Sequence, residues 1–308
     1  MIKLLTRRLA ALVPVALGVA TLTFAMIHLV PGDPVVAMLG ENAQPADIEG
    51  MRHQLGLDRP LLRQYGTFLA GLAGGDLGQS ISMHEPVAHL IAQRYPATLE
   101  LVGAGLAVAI VIAFPLGIVA GANPGGASDL GAMGFAILGI SVPHVCLGPL
   151  LMILFSVELG WLPLSGRGGI AHLILPAFTL GTAIAAIVAR MLRQSLLQVL
   201  ATGYMRTARS KGLGRMAALV RHGLRNALTP VITLLGLEAG ALLTGSIITE
   251  MIFSWPGLGR LLISAIGNRD YPLVEGCVLA FSLSYVIVNM LTDMVYGAVD
   301  PRIRLGPQ

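Results

Sequence analysis

The chain has 308 residues, of which 55% are hydrophobic and only 12% are charged, and its mean hydropathy is +0.78. A soluble domain carries about 25% charged residues, so this composition excludes an ordinary soluble fold and indicates a membrane protein. The formal net charge of +4 does not indicate nucleic-acid binding, because the basic residues lie beside apolar runs and form no stripe with interleaved aromatic residues.

Six apolar segments are long enough to cross a bilayer, which takes about 20 mostly apolar residues. We predict spans at residues 9–30, 98–122, 130–157, 172–190, 230–252 and 272–296. The last five spans are assigned to one membrane domain, residues 98–296. The predicted fold class is therefore an all-α membrane protein with six transmembrane helices.

Three basic residues, Lys3, Arg7 and Arg8, precede the first span within the N-terminal segment 1–8. A signal peptide has an apolar region of about 7–15 residues, whereas this run has 22. We therefore expect an uncleaved anchor. Prolines within the predicted spans suit a bundle that opens and closes, and they equally suit close packing.

Lys and Arg are distributed unevenly between the two sides that six spans define. The side with the N-terminus, the 191–229 loop and the tail 297–308 has 13 basic residues if Arg190 is included, and the opposite side has seven. Loops rich in Lys and Arg lie in the cytoplasm. We expect both termini in the cytoplasm of a bacterial cell and the chain in its inner membrane.

Residues 31–97 form the largest polar stretch and are predicted to be extracytoplasmic. Apolar residues with helical spacing occur at 47–55 and 61–72, so a small helical subdomain is expected, with a flexible loop as the alternative. Residues 253–271 form the other long loop on that side.

Neither the cysteines nor the lysines indicate a cofactor site. Cys146 and Cys277 lie in apolar runs and are expected to be buried thiols, and no metal-ligand spacing occurs. Lys3 and Lys211 are the only lysines and neither follows a glycine, so the phosphate-binding G-x-x-x-x-G-K-[ST] loop is absent. We expect no cofactor in this chain; ATP and Mg²⁺ would be bound by another subunit.

The basic loop at residues 191–229 is the most informative segment. Gly212 and Gly214 divide it, and residues 201–211 are predicted to form a helix because they contain no helix breaker. A second helix is predicted after the glycines from an apolar row that recurs every four residues: Met216, Val220, Leu224 and Leu228.

Thr229 is predicted to cap the fifth span, with Pro230 in its first turn.

The basic loop at residues 191–229 either rests on anionic lipid or enters a groove on a protein. The small residues Thr207, Ala208 and Gly212 favour the groove, because a lipid-binding surface has bulky apolar side chains.

Several segments, in order and spacing, resemble one known family over nearly the whole chain. They are 28–34 (His-Leu-Val-Pro-Gly-Asp-Pro), 55–61 (Leu-Gly-Leu-Asp-Arg-Pro-Leu), 75–78 (Gly-Asp-Leu-Gly), 96–100 (Pro-Ala-Thr-Leu-Glu), 159–163 (Leu-Gly-Trp-Leu-Pro), 174–177 (Ile-Leu-Pro-Ala), 207–213 (Thr-Ala-Arg-Ser-Lys-Gly-Leu), 221–230 (Arg-His-Gly-Leu-Arg-Asn-Ala-Leu-Thr-Pro), 253–259 (Phe-Ser-Trp-Pro-Gly-Leu-Gly) and 300–304 (Asp-Pro-Arg-Ile-Arg). The chain resembles the ABC importer permeases of the dipeptide/oligopeptide class, which also contains glutathione and nickel importers.

The resemblance implies a type I permease that pairs with a second, homologous permease, two ATPase subunits and an extracytoplasmic solute-binding protein. It also implies that the basic loop carries a cytoplasmic coupling helix that enters an ATPase groove. The residues assigned to it are Arg206, Thr207, Ala208, Arg209, Lys211, Gly212 and Leu213.

Two departures from the family pattern affect this assignment. In the general motif Glu-Ala-Ala is followed, after three further residues, by Gly; here Arg206-Thr-Ala208 and Gly212 take those places, so the first charge is inverted. The short loop 123–129 has no basic residue, which argues against its docking to an ATPase.

Ionisable and polar groups inside spans are candidates for the substrate pathway. Glu238 either attracts a substrate ammonium group or is satisfied by a neighbouring helix. Glu250 either shapes the outer gate or is a helix-end carboxylate in water. His144 lines the pathway or packs, and Asn289 and Asp293, four residues apart, contact substrate or join two helices.

The expected function is import of short peptides by a permease that is not itself an enzyme, with glutathione or a nickel chelate as alternative substrates. An ATP-independent secondary transporter or channel is the alternative of another class, although no convincing internal repeat is present. H-E-x-x-H, G-x-S-x-G and clustered metal ligands are absent from the sequence, which disfavours an intramembrane enzyme.

Overall fold

A computed structural model describes residues 13–25, 35–36, 44–54 and 56–299. The predicted N-terminal segment, the 28–34 motif and the tail with its 300–304 motif lie outside these residues. The chain divides into two compact units, Met1–Ala97 with Pro256–Ser284 and Thr98–Trp255 with Tyr285–Gln308. Each unit is described by itself.

The described chain is built from helices. In chain order they are α1 (Val13–Ala25), α2 (Pro45–Gln54), α3 (Leu61–Ala73), α4 (Val87–Ala122), α5 (Ala127–Ser141), α6 (His144–Leu151), α7 (Ile170–Leu200), α8 (Gly203–Ser210), α9 (Arg215–Ala218), α10 (Leu224–Ile252), α11 (Leu258–Gly267) and α12 (Tyr271–Val299). Two π-helical stretches prolong them: Met152–Glu158 follows α6, and Leu219–Gly223 joins α9 to α10.

Within the described residues, four helices have the length and composition to cross a membrane, or five if one bent pair counts as a span. The four are α4, α7, the continuous helix Met216–Ile252 and the part of α12 from Tyr271 to Thr292. The first of the six predicted spans is described only as α1, a 13-residue apolar helix.

The predicted third span, 130–157, consists of two helical pieces. Ala127–Ser141 and His144–Glu158 meet at an angle of 98°. The break falls at Val142, which is extended, and Pro143, whose ring fixes φ and which has no N–H to donate.

The two cysteines differ in burial. Cys146, which follows this break, is exposed, so the prediction of a buried thiol is wrong there, whereas Cys277 is buried as predicted.

The fifth span does not begin at Pro230, so the predicted cap at Thr229 is wrong. Pro230 lies inside α10, as the seventh residue of the helix that begins at Leu224. A proline within a helix removes one backbone hydrogen bond, which neighbouring helices and local adjustments compensate in a membrane bundle.

In the first unit, α1 packs against α3. The Phe24 ring lies 5.2 Å from the Tyr65 ring and 5.8 Å from the Phe68 ring between centroids, and the hydroxyls of Thr21 and Tyr65 are 2.6 Å apart. Residues 31–97 therefore contain helices where the sequence predicts them, and α3 among them packs against α1; the subdomain as a whole stays a prediction.

A buried carboxylate, Asp270, holds the turn at residues 80–82 against the start of α12. Its Oδ2 accepts hydrogen bonds from the Ser80 hydroxyl at 2.6 Å and from the Ser82 hydroxyl and backbone N–H at 2.7 and 3.0 Å. Its Oδ1 accepts a bond from the Leu273 N–H in the first turn of α12. The side chain thus caps a helix and fixes a distant turn at once.

In the second unit, glycines bring α4 and α7 close together. A Cβ added at Gly181 would lie 2.5 Å from the Gly105 carbonyl oxygen, and one at Gly117 would lie 2.9 Å from the Ala189 carbonyl oxygen. Small residues of this kind let helix backbones approach in a membrane, where van der Waals packing holds helices together.

Replacing Asp270 with Asn should destabilise the first unit by about 1–3 kcal/mol, because a buried group loses charged hydrogen bonds. Burial alone raises the pKa of Asp270, but the hydrogen bonds from Ser80 and Ser82 outweigh it and leave the pKa below its ordinary value. The depressed pKa stabilises the fold above about pH 4, and this contribution is lost as the pH falls through the folded-state pKa.

The melting temperature of the purified protein at pH 7 and pH 3 measures the stability lost on substitution and the stability lost on acidification. Glu49→Gln, at an exposed position on α2, is the matched control and should leave the melting temperature unchanged at both pH values. A variant Asp270→Asn with the stability of the control at pH 7 would contradict the structural role of this carboxylate.

Candidate functional site

The segment between α7 and α9 folds as a short helix followed by a glycine turn. The Thr202 hydroxyl donates to the Val199 carbonyl at 2.6 Å as α7 ends, and α8 begins at Gly203. After α8, Lys211 N–H donates to the Thr207 carbonyl, and Gly212 adopts φ +88°, a conformation that favours glycine because it has no Cβ. The helix expected at 201–211 is thus α8, and Gly212 makes the turn.

One side of α8 is anchored to the helix that follows. Met205 is fully buried, and its methyl group lies next to Gly223. The Asn226 side-chain amide donates to the Tyr204 hydroxyl at 2.8 Å. The buried row along the next helix is Leu219, Gly223, Ala227 and Val231, which again recurs every four residues.

The helix predicted after the glycines is present, but its buried row is not the apolar row from which the helix was predicted. Met216 and Val220 are 51% and 52% exposed, whereas Leu224 and Leu228 are half-buried. Gly223 lies against the Met205 methyl group, and Ala227, one turn later, is fully buried. A recurrence every four residues predicts a helix, but it does not decide which side of that helix is buried.

The other described side chains of the segment are less buried than Met205. Arg206, Thr207, Lys211 and Gly212 are exposed, and Ala208 and Leu213 are half-buried; Arg209 belongs to α8, but its side chain lies outside the described set. Within the described part of the chain, neither Arg206 nor Lys211 forms an ion pair. The segment is therefore a fixed helix whose cationic side is available to another molecule.

A buried ion pair that was not predicted from the sequence lies beside this segment. Arg193 Nε donates to Asp129 Oδ1 at 2.6 Å and Nη2 donates to Oδ2 at 2.7 Å, and the Asp129 side chain is only 4% exposed. Oδ2 also accepts the Gly125 N–H. A carboxylate and an arginine at the ends of two apolar runs were the available signal, because burial of either charge requires a partner.

The pair places the 123–126 turn at the same end of the bundle as α8. Arg193 lies on α7 seven residues before Leu200, where α7 ends and leads into α8. Asp129 is in the first turn of α5, directly after the turn. The short loop without basic residues is therefore tied to the helix that carries the basic segment.

At the other end of the second unit, Glu250 is fully buried. The Thr98 hydroxyl donates to Glu250 Oε1 at 2.6 Å, so the alternative of a carboxylate in water is wrong. Nearby in the chain, the Trp255 N–H donates to the Glu250 carbonyl. Arg167 pairs with Glu100 at 2.6 Å and lies 6.0 Å from the centre of the Trp255 ring.

Glu238 differs from Glu250 in having no hydrogen-bond or ion-pair partner among the residues that the structure describes. It is half-buried on α10. Gly236 and Gly240 of the same helix face Thr292 and Tyr285 of α12. Because residues two apart on a helix point in nearly opposite directions, Glu238 lies on the side of α10 away from that contact.

The structure does not join the other pathway candidates to one another. His144 is the half-buried first residue of α6, and Asn289 is half-buried on α12; no hydrogen bond to either is found among the described side chains. Asp293 follows on α12 one turn later, with its side chain outside the described set. Within the described residues, no group of His, Cys, Asp and Glu has metal-binding geometry.

Comparisons with known proteins identify the class. Residues 113–305 match the family described as binding-protein-dependent transport system inner membrane component, and residues 1–102 match the N-terminal part of such membrane components. The chain belongs to this family and is a permease of a binding-protein-dependent ABC importer, in which ATPase and substrate-binding protein are separate partners. It is a multi-pass protein of the inner membrane.

Among its relatives are glutathione transport system permease proteins GsiC. The protein from Pectobacterium atrosepticum is 46% identical over 304 residues, and the one from Escherichia coli K12 is 43% identical, each over 99% of both chains. Among solved structures, the inward-facing methionine ABC transporter MetNI aligns with 71% of this chain and all of its own, with a TM-score of 0.57 and 19% identity. An amino acid ABC transporter, solved with histidines, aligns with 69% of this chain and 94% of its own, with a TM-score of 0.51 and 18% identity.

Replacing Met205 with Ala should loosen α8 by about 2–5 kcal/mol, because a fully buried side chain leaves a cavity. Amide hydrogen exchange across residues 203–210 should then be at least about tenfold faster, since 1.4 kcal/mol is a factor of ten. Met216→Ala, at an exposed position in the same segment, should change exchange little. Equal effects of the two substitutions would show that Met205 does not anchor the helix.

Proposed function

We propose that this permease imports glutathione, as a member of the short-peptide class of substrates. The observation that carries the proposal is the identity of 46% over 99% of both chains to a permease named for glutathione transport. Glutathione is itself a short peptide, so the proposal narrows the peptide class expected from the sequence. A nickel chelate is less well supported, because no metal-binding cluster occurs among the described residues.

The proposed assembly contains this chain, a second homologous permease, two ATPase subunits and one extracytoplasmic solute-binding protein. ATP and Mg²⁺ would be bound by the ATPase subunits, and this chain would need no cofactor of its own. Six spans, with both termini in the cytoplasm, agree with the excess of Lys and Arg on the side of the 191–229 loop. Residues 31–97 would then lie outside the cytoplasm.

The ATPase contact is proposed to be the segment from Arg206 to Leu213. A coupling element must be attached firmly to its own spans and must expose a surface to its partner. The buried Met205 and the Tyr204–Asn226 hydrogen bond supply the attachment, and Arg206, Thr207, Lys211 and Gly212 supply the surface. Since Arg206 replaces the acid of the general motif, an acidic residue on the ATPase is the complementary partner.

Transmission from this segment to the spans follows from chain continuity. Only two residues, Ala201 and Thr202, join α7 to α8, and α9, the π-helical stretch and α10 run without a break from Arg215 to Ile252. A displacement of α8 therefore acts on both helices as packed bodies and requires no internal unfolding. Glu238 lies on α10 and is proposed to face the substrate pathway, where its carboxyl would attract the ammonium group of a peptide.

Ala208→Trp should leave the protein in the membrane but uncouple transport from ATP hydrolysis, because a large side chain blocks entry of α8 into a groove. Substrate transported per ATP hydrolysed, measured in proteoliposomes of the whole transporter, should fall at least about tenfold, the effect of 1.4 kcal/mol. Gly212→Trp should act similarly through its φ of +88°. Ala217→Trp, exposed on α9, is the control; if Ala208→Trp matches it, the docking assignment is wrong.

Uptake of labelled substrates in a strain lacking its own importer tests the substrate and Glu238 together. The wild-type transporter should accumulate glutathione, whereas uptake of a nickel chelate in preference to glutathione would refute the proposal that glutathione is the substrate.

In the same assay, Glu238→Gln should reduce uptake of cationic peptides relative to anionic peptides by about tenfold or less, the range of one weakened charge pair. An unchanged preference among cationic, neutral and anionic peptides would remove Glu238 from the pathway.

A further inference from the structure

A cavity of about 450 Å³ lies between α5 and α7, beside the buried ion pair. Its lining residues fall into two groups, one polar and one apolar: Asp129, Arg190, Arg193 and Gln194, and Leu130 and Met133. The polar wall is formed by side chains of α7 together with Asp129 at the start of α5, and the apolar wall is formed by Leu130 and Met133 of α5. A ligand that satisfies both walls must have a charged end and a hydrocarbon part.

The polar wall is cationic in spite of Asp129. Both oxygens of Asp129 are used by Arg193, and Oδ2 also accepts the Gly125 N–H, so its charge is compensated. Arg190 is exposed and has no hydrogen-bond or ion-pair partner within the described parts of the chain. Arg193 donates to Asp129 from Nε and Nη2, and its Nη1 can donate a further hydrogen bond. One uncompensated positive charge and several donors therefore face the cavity.

The cavity lies at the depth of lipid headgroups. Arg190 follows Ile170, the first residue of α7, by 20 residues, which is about 30 Å of helix and equals the hydrocarbon thickness of a bilayer. Leu130, 71% exposed, lies one residue after the buried Asp129 at the start of the next apolar run. Hydrocarbon thus begins at the apolar wall, and the polar wall lies at the interface.

We propose that this cavity binds an anionic phospholipid, with its phosphate on Arg190, Arg193 and Gln194 and an acyl chain along Leu130 and Met133. A basic pocket between transmembrane helices at the headgroup level suits a phosphate with a negative charge that no lipid amine neutralises. A free phosphate ester would use the polar wall alone and leave Leu130 and Met133 in contact with water or zwitterionic lipid. The lipid would reinforce the α5–α7 contact next to the coupling segment.

Native mass spectrometry of the whole purified transporter tests the proposal. The wild-type protein, titrated separately with phosphatidylglycerol and phosphatidylcholine, should retain phosphatidylglycerol about fivefold more strongly, the effect of about one basic residue near the surface. Glycerol 3-phosphate at the same concentration should not displace it. Equal retention of the two lipids, or full displacement by glycerol 3-phosphate, would overturn the proposal without the use of any variant.

Variants then localise the site. Arg190→Ala should lower phosphatidylglycerol retention about fivefold, to the level of phosphatidylcholine, by removing that one charge. Arg221→Ala removes an exposed arginine from the π-helical stretch Leu219–Gly223, and this variant should retain the lipid as the wild type does. Met133→Trp fills the cavity with the charges intact and should also reduce retention. If Arg190→Ala and Arg221→Ala have the same effect, the lipid binds elsewhere and the assignment is wrong.

Discussion

Close contact between the backbones of α4 and α7 is the constraint on which the second unit depends. In a bilayer, hydrocarbon tails are as apolar as leucine, so burial of apolar surface against another helix adds little, and helix association depends on packing. Gly105, Gly117 and Gly181 remove the side chains that would hold these two helices apart. Leu192 and Leu196 of α7 then fill the space left by Gly117 and Gly121 of α4, and both leucines are fully buried.

Polar groups act at the ends of the helices, where burial gives them short, specific contacts. At one end, Asp129 and Arg193 tie α5 to α7. At the other, Glu250 accepts a hydrogen bond from Thr98, and Arg167 pairs with Glu100. A buried charge is costly unless it is paired, so the contacts of the buried Asp129 and Glu250 each favour one register of the helices that they join, whereas the Arg167–Glu100 pair is exposed. Asp270 does the same in the first unit.

The proposed coupling segment, residues 206–213, would combine two requirements in one short stretch. Its helix is held by a buried methionine and one tyrosine–asparagine hydrogen bond, and its remaining side is exposed and cationic. This division allows a partner subunit to contact Arg206, Thr207 and Lys211 without disturbing the core. The nearby arginines of α7 line the cavity beside Asp129 instead, so neighbouring basic residues belong to different surfaces.

The amino-acid sequence alone was enough for the membrane class, most of the long apolar helices, the helices in 31–97 and the short helix before Gly212. These features depend on local periodicity, on glycine and on the apolar length that a bilayer requires. The order of the motifs also predicted the permease family. Four features depended on tertiary contacts instead: the partner of Glu250, the Asp129–Arg193 pair, the buried row that contacts Met205, and the helix that continues through Pro230. Their partners lie tens of residues away, or their local signals compete with packing, so only the folded chain decides which groups meet.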